Sequence, residues 1–156
     1  MKKQHDYFVT VEWTGNRGHG TTGAADYDRN HTISVNNKAD ILGSSDTPFR
    51  GDGTRHNPED MLLSALSTCH MLWYLHLCAD AGVIVTDYID KATGSMAEMP
   101  GGGGHFTEVV LHPIVKVTEA GMVGKANELH DEAHKKCFIA NSVNFPVRHE
   151  PQCLVG

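Results

Sequence analysis

The chain has no run of lysine or arginine, and its 13 basic residues are outnumbered by 19 acidic ones, for a net charge of −6. A nucleic-acid surface built on basic side chains is thereby excluded. Nor is there an uninterrupted apolar run of roughly 20 residues, the length a membrane-crossing helix needs. The stretch Met61–Ala79 comes nearest, and His70, His76 and several small polar residues interrupt it. The opening MKKQHDYFVTVEW has two lysines but no apolar block like that of a signal peptide, so a cytoplasmic location away from any membrane is expected. None of the four cysteines (Cys69, Cys78, Cys137 and Cys153) is paired as CxxC, which excludes a zinc ribbon and a thioredoxin-type motif. In such a compartment they are expected as free thiols, open to redox or catalytic use. Repeats, low-complexity segments and linker-like boundaries are absent too, and 156 residues suffice for a single domain, 1–156, with a sizeable core.

What is present is organised around the stretch from Asn57 to Gly82, NPEDMLLSALSTCHMLWYLHLCADAG. Asn57 is suited to cap a helix and Pro58 to open it, since the first helical N–H has no partner to lose. Glu59 and Asp60 favour the positive end of the helix dipole, and Gly82 supplies a left-handed residue to close it. Between Asp60 and Asp80 there is no charge, so the helix is predicted to lie at the centre of the domain. Cys69 falls near its middle. Cys69 and Cys78, nine residues apart, point to opposite faces of a helix turning about 100° per residue and cannot bridge each other. A buried cysteine is usually a small hydrophobe, so a chemical role for Cys69 has to be argued from its company.

The remaining elements follow from two-residue and helical periodicity. Residues 5–14 alternate as a strand, the glycine-rich turn GNRGHGTTG follows, and a short second strand is expected after it. Further strands are expected over residues 31–36 and 39–42, then a loop to His56 that contains Arg50 and Arg55. Beyond the central helix, residues 83–99 and 105–118 read as the arms of a hairpin joined by Gly101–Gly104, with Pro113 at an edge or a bulge. Residues 122–137 form a more charged and more exposed helix, and a last strand is expected near 143–149. Strands not interleaved one-for-one with helices make the fold α+β. His130 and His134, at i and i+4 in HDEAH, have metal-binding spacing, but the residue after the first histidine is Asp131, not glutamate, and the pair reads as a solvated helix face. His70 and His76 lie in the buried helix; His76 shares the Cys69 face two turns on, where it lines a pocket or, the favoured reading, is a core histidine with one satisfied hydrogen bond.

Three segments together resemble the OsmC/Ohr family, the osmotically inducible and organic hydroperoxide resistance proteins. They are Asn57-Pro58-Glu59 opening an apolar helix, Cys69 ten residues after that glutamate, and Lys136-Cys137-Phe138-Ile139-Ala140-Asn141-Ser142 before a closing strand. The resemblance implies an intertwined homodimer in which antiparallel sheets wrap long buried central helices, with active sites at the subunit interface. It implies a thiol-dependent peroxidase for organic hydroperoxides or hydrogen peroxide, with Cys69 attacking and Cys137 resolving. It also implies that Glu59 orients an activating arginine, either Arg50 before the helix or Arg17 in the first glycine-rich turn. An arginine is needed because burial alone silences a thiol, whereas a guanidinium stabilises the thiolate and the departing oxygen. Glu59 itself stands ~15 Å along the helix from Cys69, so it acts by holding the far end of an arginine, through a helix break, or through the partner subunit. The cycle requires a small hydroperoxide and an external dithiol reductant; no metal or other cofactor is expected. The substrate pocket is expected to be apolar, formed by Met61, Leu62, Leu66, Met71 and Trp73 with the partner chain. Two other classes stay open: a redox-inert dimer that binds a hydrophobic ligand, and a hydrolase using Cys69 with His76 as nucleophile and base.

Overall fold

A computed structural model describes residues 2–156 of the chain. The contacts divide the chain into two units, one ending at Met61 and the other spanning Leu62–Gly156. In the first unit, β1 (Thr10–Trp13), β2 (His31–Ser34) and β3 (Ile41–Gly43) form an antiparallel sheet in the order β1-β2-β3. Thr10 pairs with Ser34 and Trp13 with His31, while His31 also faces Gly43. The alternation over residues 5–9 continues the pattern of β1, but no neighbouring strand bonds to it, so the strand is shorter than its periodicity predicts. In place of the expected strand after the first turn, a single bridge joins Asn16 to Tyr27. The turn is held by Asn16, whose Oδ1 accepts from the amides of Gly18 (2.8 Å) and Gly20 (3.0 Å). Glycine is needed at Gly15, where a Cβ would stand 1.9 Å from the carbonyl oxygen of Asp28.

The long helix α1 runs Pro58–Asp80. Asn57 caps it as expected, its Oδ1 accepting from the Asp60 amide at 2.7 Å. At the other end Gly82 adopts φ 73°, Gly82 N–H donates to Ala79 and Val83 N–H to Cys78, the paired bonds of a Schellman closure. Val83 and Cys78, which that closure brings together, are both in the core. Leu66, His70, Tyr74 and Cys78 form the buried stripe of α1, one residue per turn, while Leu72 on another face is 64% exposed. Among the described residues α1 is the one helix long and apolar enough to cross a membrane by length and composition, a test that the core helix of a soluble protein also meets.

After α1 come β4 (Val85–Asp90), β5 (Thr93–Glu98), β6 (Gly104–Leu111) and β7 (Pro113–Val117). The two arms of the expected hairpin are therefore each broken in two, and they belong to different sheets. β5 pairs with β6 antiparallel across Gly101–Gly103, all at positive φ, and β4 pairs with β7 antiparallel. At the break, one carboxylate serves both arms and the helix: Asp90 accepts from His112 N–H (2.7 Å) and from Ser67 Oγ–H (2.6 Å). Helix α2 (Val123–Lys136) follows, then β8 (Val147–His149) and a further strand, β9 (Gln152–Val155), that periodicity did not suggest. β8 joins β6 and β9 joins β7, both in parallel, giving three-stranded sheets β5-β6-β8 and β4-β7-β9. β7 is thus a central strand. Pro113 is tolerated there as its first residue, not at an edge or bulge.

The core of the second unit has two parts. Tyr74, Cys78, Val83, Val115, Val117, Ala126, Leu129 and Ala133 make one, and Leu66, Val109 and Leu111 the other, packed by Phe106, Phe145 and Val147. Val109, Val115 and Val117 have no exposed surface, and burial of each contributes ~1.5–3 kcal/mol relative to exposure. α2 presents Ala126, Leu129, His130 and Ala133 inward at helical spacing. His130 is therefore buried, not part of a solvated face: the apolar phase of α2 carries it against α1.

Candidate active site

Cys69 sits one residue from the buried stripe of α1, half-buried, with its thiol free. From that position the helical spacing brings Leu72, Trp73 and His76 onto the same side, and Phe138 closes the group from beyond α2. Together with Cys69 they line a largely apolar pocket of about 350 Å³. Trp73 organises it, its ring standing edge-on to Phe138 (5.8 Å between centroids) and to His76 (5.9 Å), with Lys136 Nζ 5.6 Å above the indole. His76 is an exposed pocket residue 3.4 Å from Asp80, not a core histidine. Leu66 points into the second core part with Leu62 packed on it, so the expected wall of Met61, Leu62, Leu66 and Met71 is replaced by the face in phase with Cys69. Trp73 is the one expected wall residue that lines the pocket, and counting three residues onward from Cys69 would have added Leu72.

Cys137 caps the C-terminal end of α2. Its backbone leaves the helix (φ −67°, ψ 109°) while its N–H still reaches the His134 carbonyl at 3.3 Å. The sequence after it enforces that exit: Asn141 Nδ2–H donates to the Lys135 carbonyl at 3.0 Å and Ser142 Oγ–H to the Phe138 carbonyl at 2.7 Å. The Cys137 side chain is fully buried and lies within hydrogen-bonding reach of the Cys69 thiol. Burial, and then the bond with Cys69, pushes the Cys137 thiol up to about 11, while the amides of Ala140 (3.4 Å from Sγ) and Ile139 pull the other way. The two sulfurs are therefore unequal. Cys69 opens onto the pocket, and Cys137 stands behind it as a protonated thiol.

The other expected site residues lie in the first unit or at its junction with α1. Arg17, exposed, donates to the Ala25 carbonyl and pairs with Asp28 at 3.6 Å. Arg50, also exposed, is a left-handed residue (φ 62°) that closes the short 3-10 turn Thr47–Phe49. Glu59 is an acid of the first turn of α1. Arg55, which the sequence treats as one loop cation among several, is half-buried. Its Nε is 3.5 Å from Asp52, and its Nη1 is buried without an acceptor among the described residues. A guanidinium N–H in that condition calls for an acceptor, and nothing in the pattern of the loop announces it.

Comparison with known proteins bears on the family and the fold. The family profile described as "OsmC-like protein" matches residues 51–152. Among solved structures, an OsmC-like protein of unknown function from Vibrio cholerae is 30% identical, with a TM-score of 0.84 over 95% of this chain and 99% of that one. An organic hydroperoxide resistance protein from Elizabethkingia anophelis is 18% identical, with a TM-score of 0.69 over the whole of both chains (100% and 100%). An organic hydroperoxide resistance protein OsmC from Legionella pneumophila is 16% identical, with a TM-score of 0.70 over 97% of this chain and 98% of that one. At those lower identities the likeness is one of fold. A comparison with curated proteins gives no match.

Proposed function

Since this chain belongs to the OsmC-like protein family, with residues 51–152 matched, we propose that it is a thiol-dependent peroxidase acting on organic hydroperoxides. The observation that carries the reading is the unequal pair: a Cys69 thiol facing an apolar pocket, with the Cys137 thiol in reach behind it. The Cys69 thiolate attacks the outer oxygen of ROOH. The O–O bond breaks, the sulfur becomes a sulfenic acid, and the alkoxide leaves as ROH after taking one proton. The Cys137 thiol then condenses with the sulfenic acid, forming the S–S bond and releasing water. Its proton is held until that step by the same burial that raises its pKa. An external dithiol restores both thiols by exchange and is itself oxidised to a disulfide.

The apolar walls of Leu72, Trp73 and Phe138 suit an alkyl or aryl hydroperoxide better than hydrogen peroxide. On the family pattern the cation that assists Cys69 is Arg50 or Arg17, from this chain or a second copy, oriented by Glu59; Arg55, with its unmet Nη1, is a third to test. The working form is a homodimer in the cytoplasm, which gives the exposed apolar side chains Tyr7, Phe8 and Leu72 a cover. The test is stopped-flow consumption of cumene hydroperoxide by pre-reduced protein. Wild type should consume one equivalent rapidly and form a Cys69–Cys137 disulfide, seen by mass spectrometry as the loss of two hydrogens. Cys69→Ser should slow consumption at least a hundredfold, and substitution of Arg17, Arg50 and Arg55 in turn by Lys should identify the activating cation. Equal, slow consumption by wild type and Cys69→Ser would end the peroxidase reading in favour of a redox-inert pocket for an apolar ligand.

A further inference from the structure

Four imidazoles meet in the second unit, contributed by three of its elements. His70 of α1 and His130 of α2 are each 1% exposed, and His70 Nε2 lies 3.0 Å from His130 Nδ1 in nearly coplanar rings. His149 of β8 stands 5.5 Å from the His70 ring and 6.2 Å from that of His130. His134, one turn beyond His130, is 5.6 Å from His149. Tyr74 stacks on His130 at 3.9 Å, with Tyr88 of β4 against its far side. One carboxylate serves the whole group: Asp131 is exposed and 2.8 Å from His149 Nε2. Arg148, the other charge on β8, is taken up by Glu108 and Glu150 at 3.0 and 3.2 Å. Among the described residues no three such donors are arranged to hold a metal ion.

A single hydrogen bond between two imidazoles needs one donor and one acceptor nitrogen, so at least one of His70 and His130 must be neutral. His70 Nδ1 is also buried with no hydrogen-bond partner among the described residues, so no protein acceptor there meets a proton placed on it. We infer that this cluster is an acid-sensitive latch: neutral, it fastens α2 and β8 to α1, and protonated it lets them go. The consequence reaches the thiols, because the last turn of α2 includes His134 and ends in Cys137. Opening of the latch withdraws Cys137 from Cys69, which links the reach of the second sulfur to pH.

The direction follows from proton linkage. Burial holds His70 down to about 4 and His130 down to about 3, with neighbouring imidazoles adding to the effect and Asp131 opposing it at His130. Burial and His149 lower His134 as well. In the released state His70 and His130 return toward 6.5 and take up the two protons that the closed state refuses. The closed state is therefore at full strength above pH 6.5 and loses ground as pH falls from 6.5 toward 4. With two linked protons, the open-to-closed ratio rises about a hundredfold per pH unit through that window.

The experiment uses the full-length chain carrying Trp13→Phe, which leaves Trp73, packed on Phe138 beside Cys137, as the one tryptophan. Its fluorescence is followed from pH 8 to 4 while ¹⁵N spectra report the protonation of the imidazoles. The latch predicts that His70 and His130 stay neutral until the Trp73 signal changes, that both events coincide between pH 6.5 and 4, and that the change is reversible. His130→Gln, which keeps one hydrogen bond and removes one titrating group, should cut the pH dependence from about a hundredfold to about tenfold per unit. Protonation of both imidazoles near 6.5 with Trp73 undisturbed would overturn the inference, as would a Trp73 environment unchanged down to pH 4. Should His130→Gln fail to fold, the titration of the His130-bearing chain decides alone. None of these readouts depends on peroxide turnover, so loss of the peroxidase reading leaves the latch standing.

Discussion

Tyr88 places a hydroxyl in the interior where it finds no hydrogen-bond partner among the described residues, and burial there raises its pKa well above the ordinary range. A hydroxyl that has lost water and gained nothing costs ~1–3 kcal/mol. Tyr88→Phe should therefore keep the fold and match or raise the unfolding free energy, by up to about 1 kcal/mol in urea titration. Trp73 acts at the opposite extreme, since it touches pocket, Phe138 and Lys136 at once. Trp73→Ala should raise KM for cumene hydroperoxide roughly tenfold, the loss of about 1.4 kcal/mol of apolar contact, with a smaller change in kcat. The two cysteines were legible because each lies in a segment whose flanking residues constrain it. The proposed activating cation was not: Arg17, Arg50 and Arg55 lie in turns whose direction is set by caps and left-handed residues, and no period aims their side chains.

Among the elements, α1 was the most legible, because both its ends are written in local chemistry. Replacing Asn57 by Ala or Gly82 by Ala should each cost about 1 kcal/mol of unfolding free energy, the first by orphaning the Asp60 amide and the second by straining φ 73°. The midpoint of urea unfolding checks both. The arms after α1 were legible as strands but not as four strands in two sheets. What divides them is Asp90, which bonds to Ser67 and to His112 from residues far apart in the sequence. The strand β9 escaped notice for a related reason: its four residues, QCLV, are too few to show alternation and gain their place by lying beside β7. The phase of α2 was readable in its charged face, yet the apolar side carried a histidine whose partner belongs to α1.

At the scale of the whole molecule, the α+β class and the family were both legible from order and motif, while the exposed apolar residues are what the proposed dimer would cover. If the apolar residues left open at Leu72 and at Tyr7 and Phe8 are covered by a second copy, light scattering should return about twice 17.0 kDa. A monomer at micromolar concentration would dismiss that assembly. Cys137 has a further bearing, because it ends one helix and faces the middle of another. When the two sulfurs join, they close a loop of nearly 70 residues, which restricts the unfolded chain by about 4 kcal/mol on chain-entropy grounds. Calorimetry should find the oxidised protein melting several degrees above the reduced one, a difference that Cys137→Ser erases. In the proposed cycle, heat resistance thus becomes a gauge of how recently the molecule met its oxidant: toughest just after a strike, and softest once a reductant has wiped the memory away.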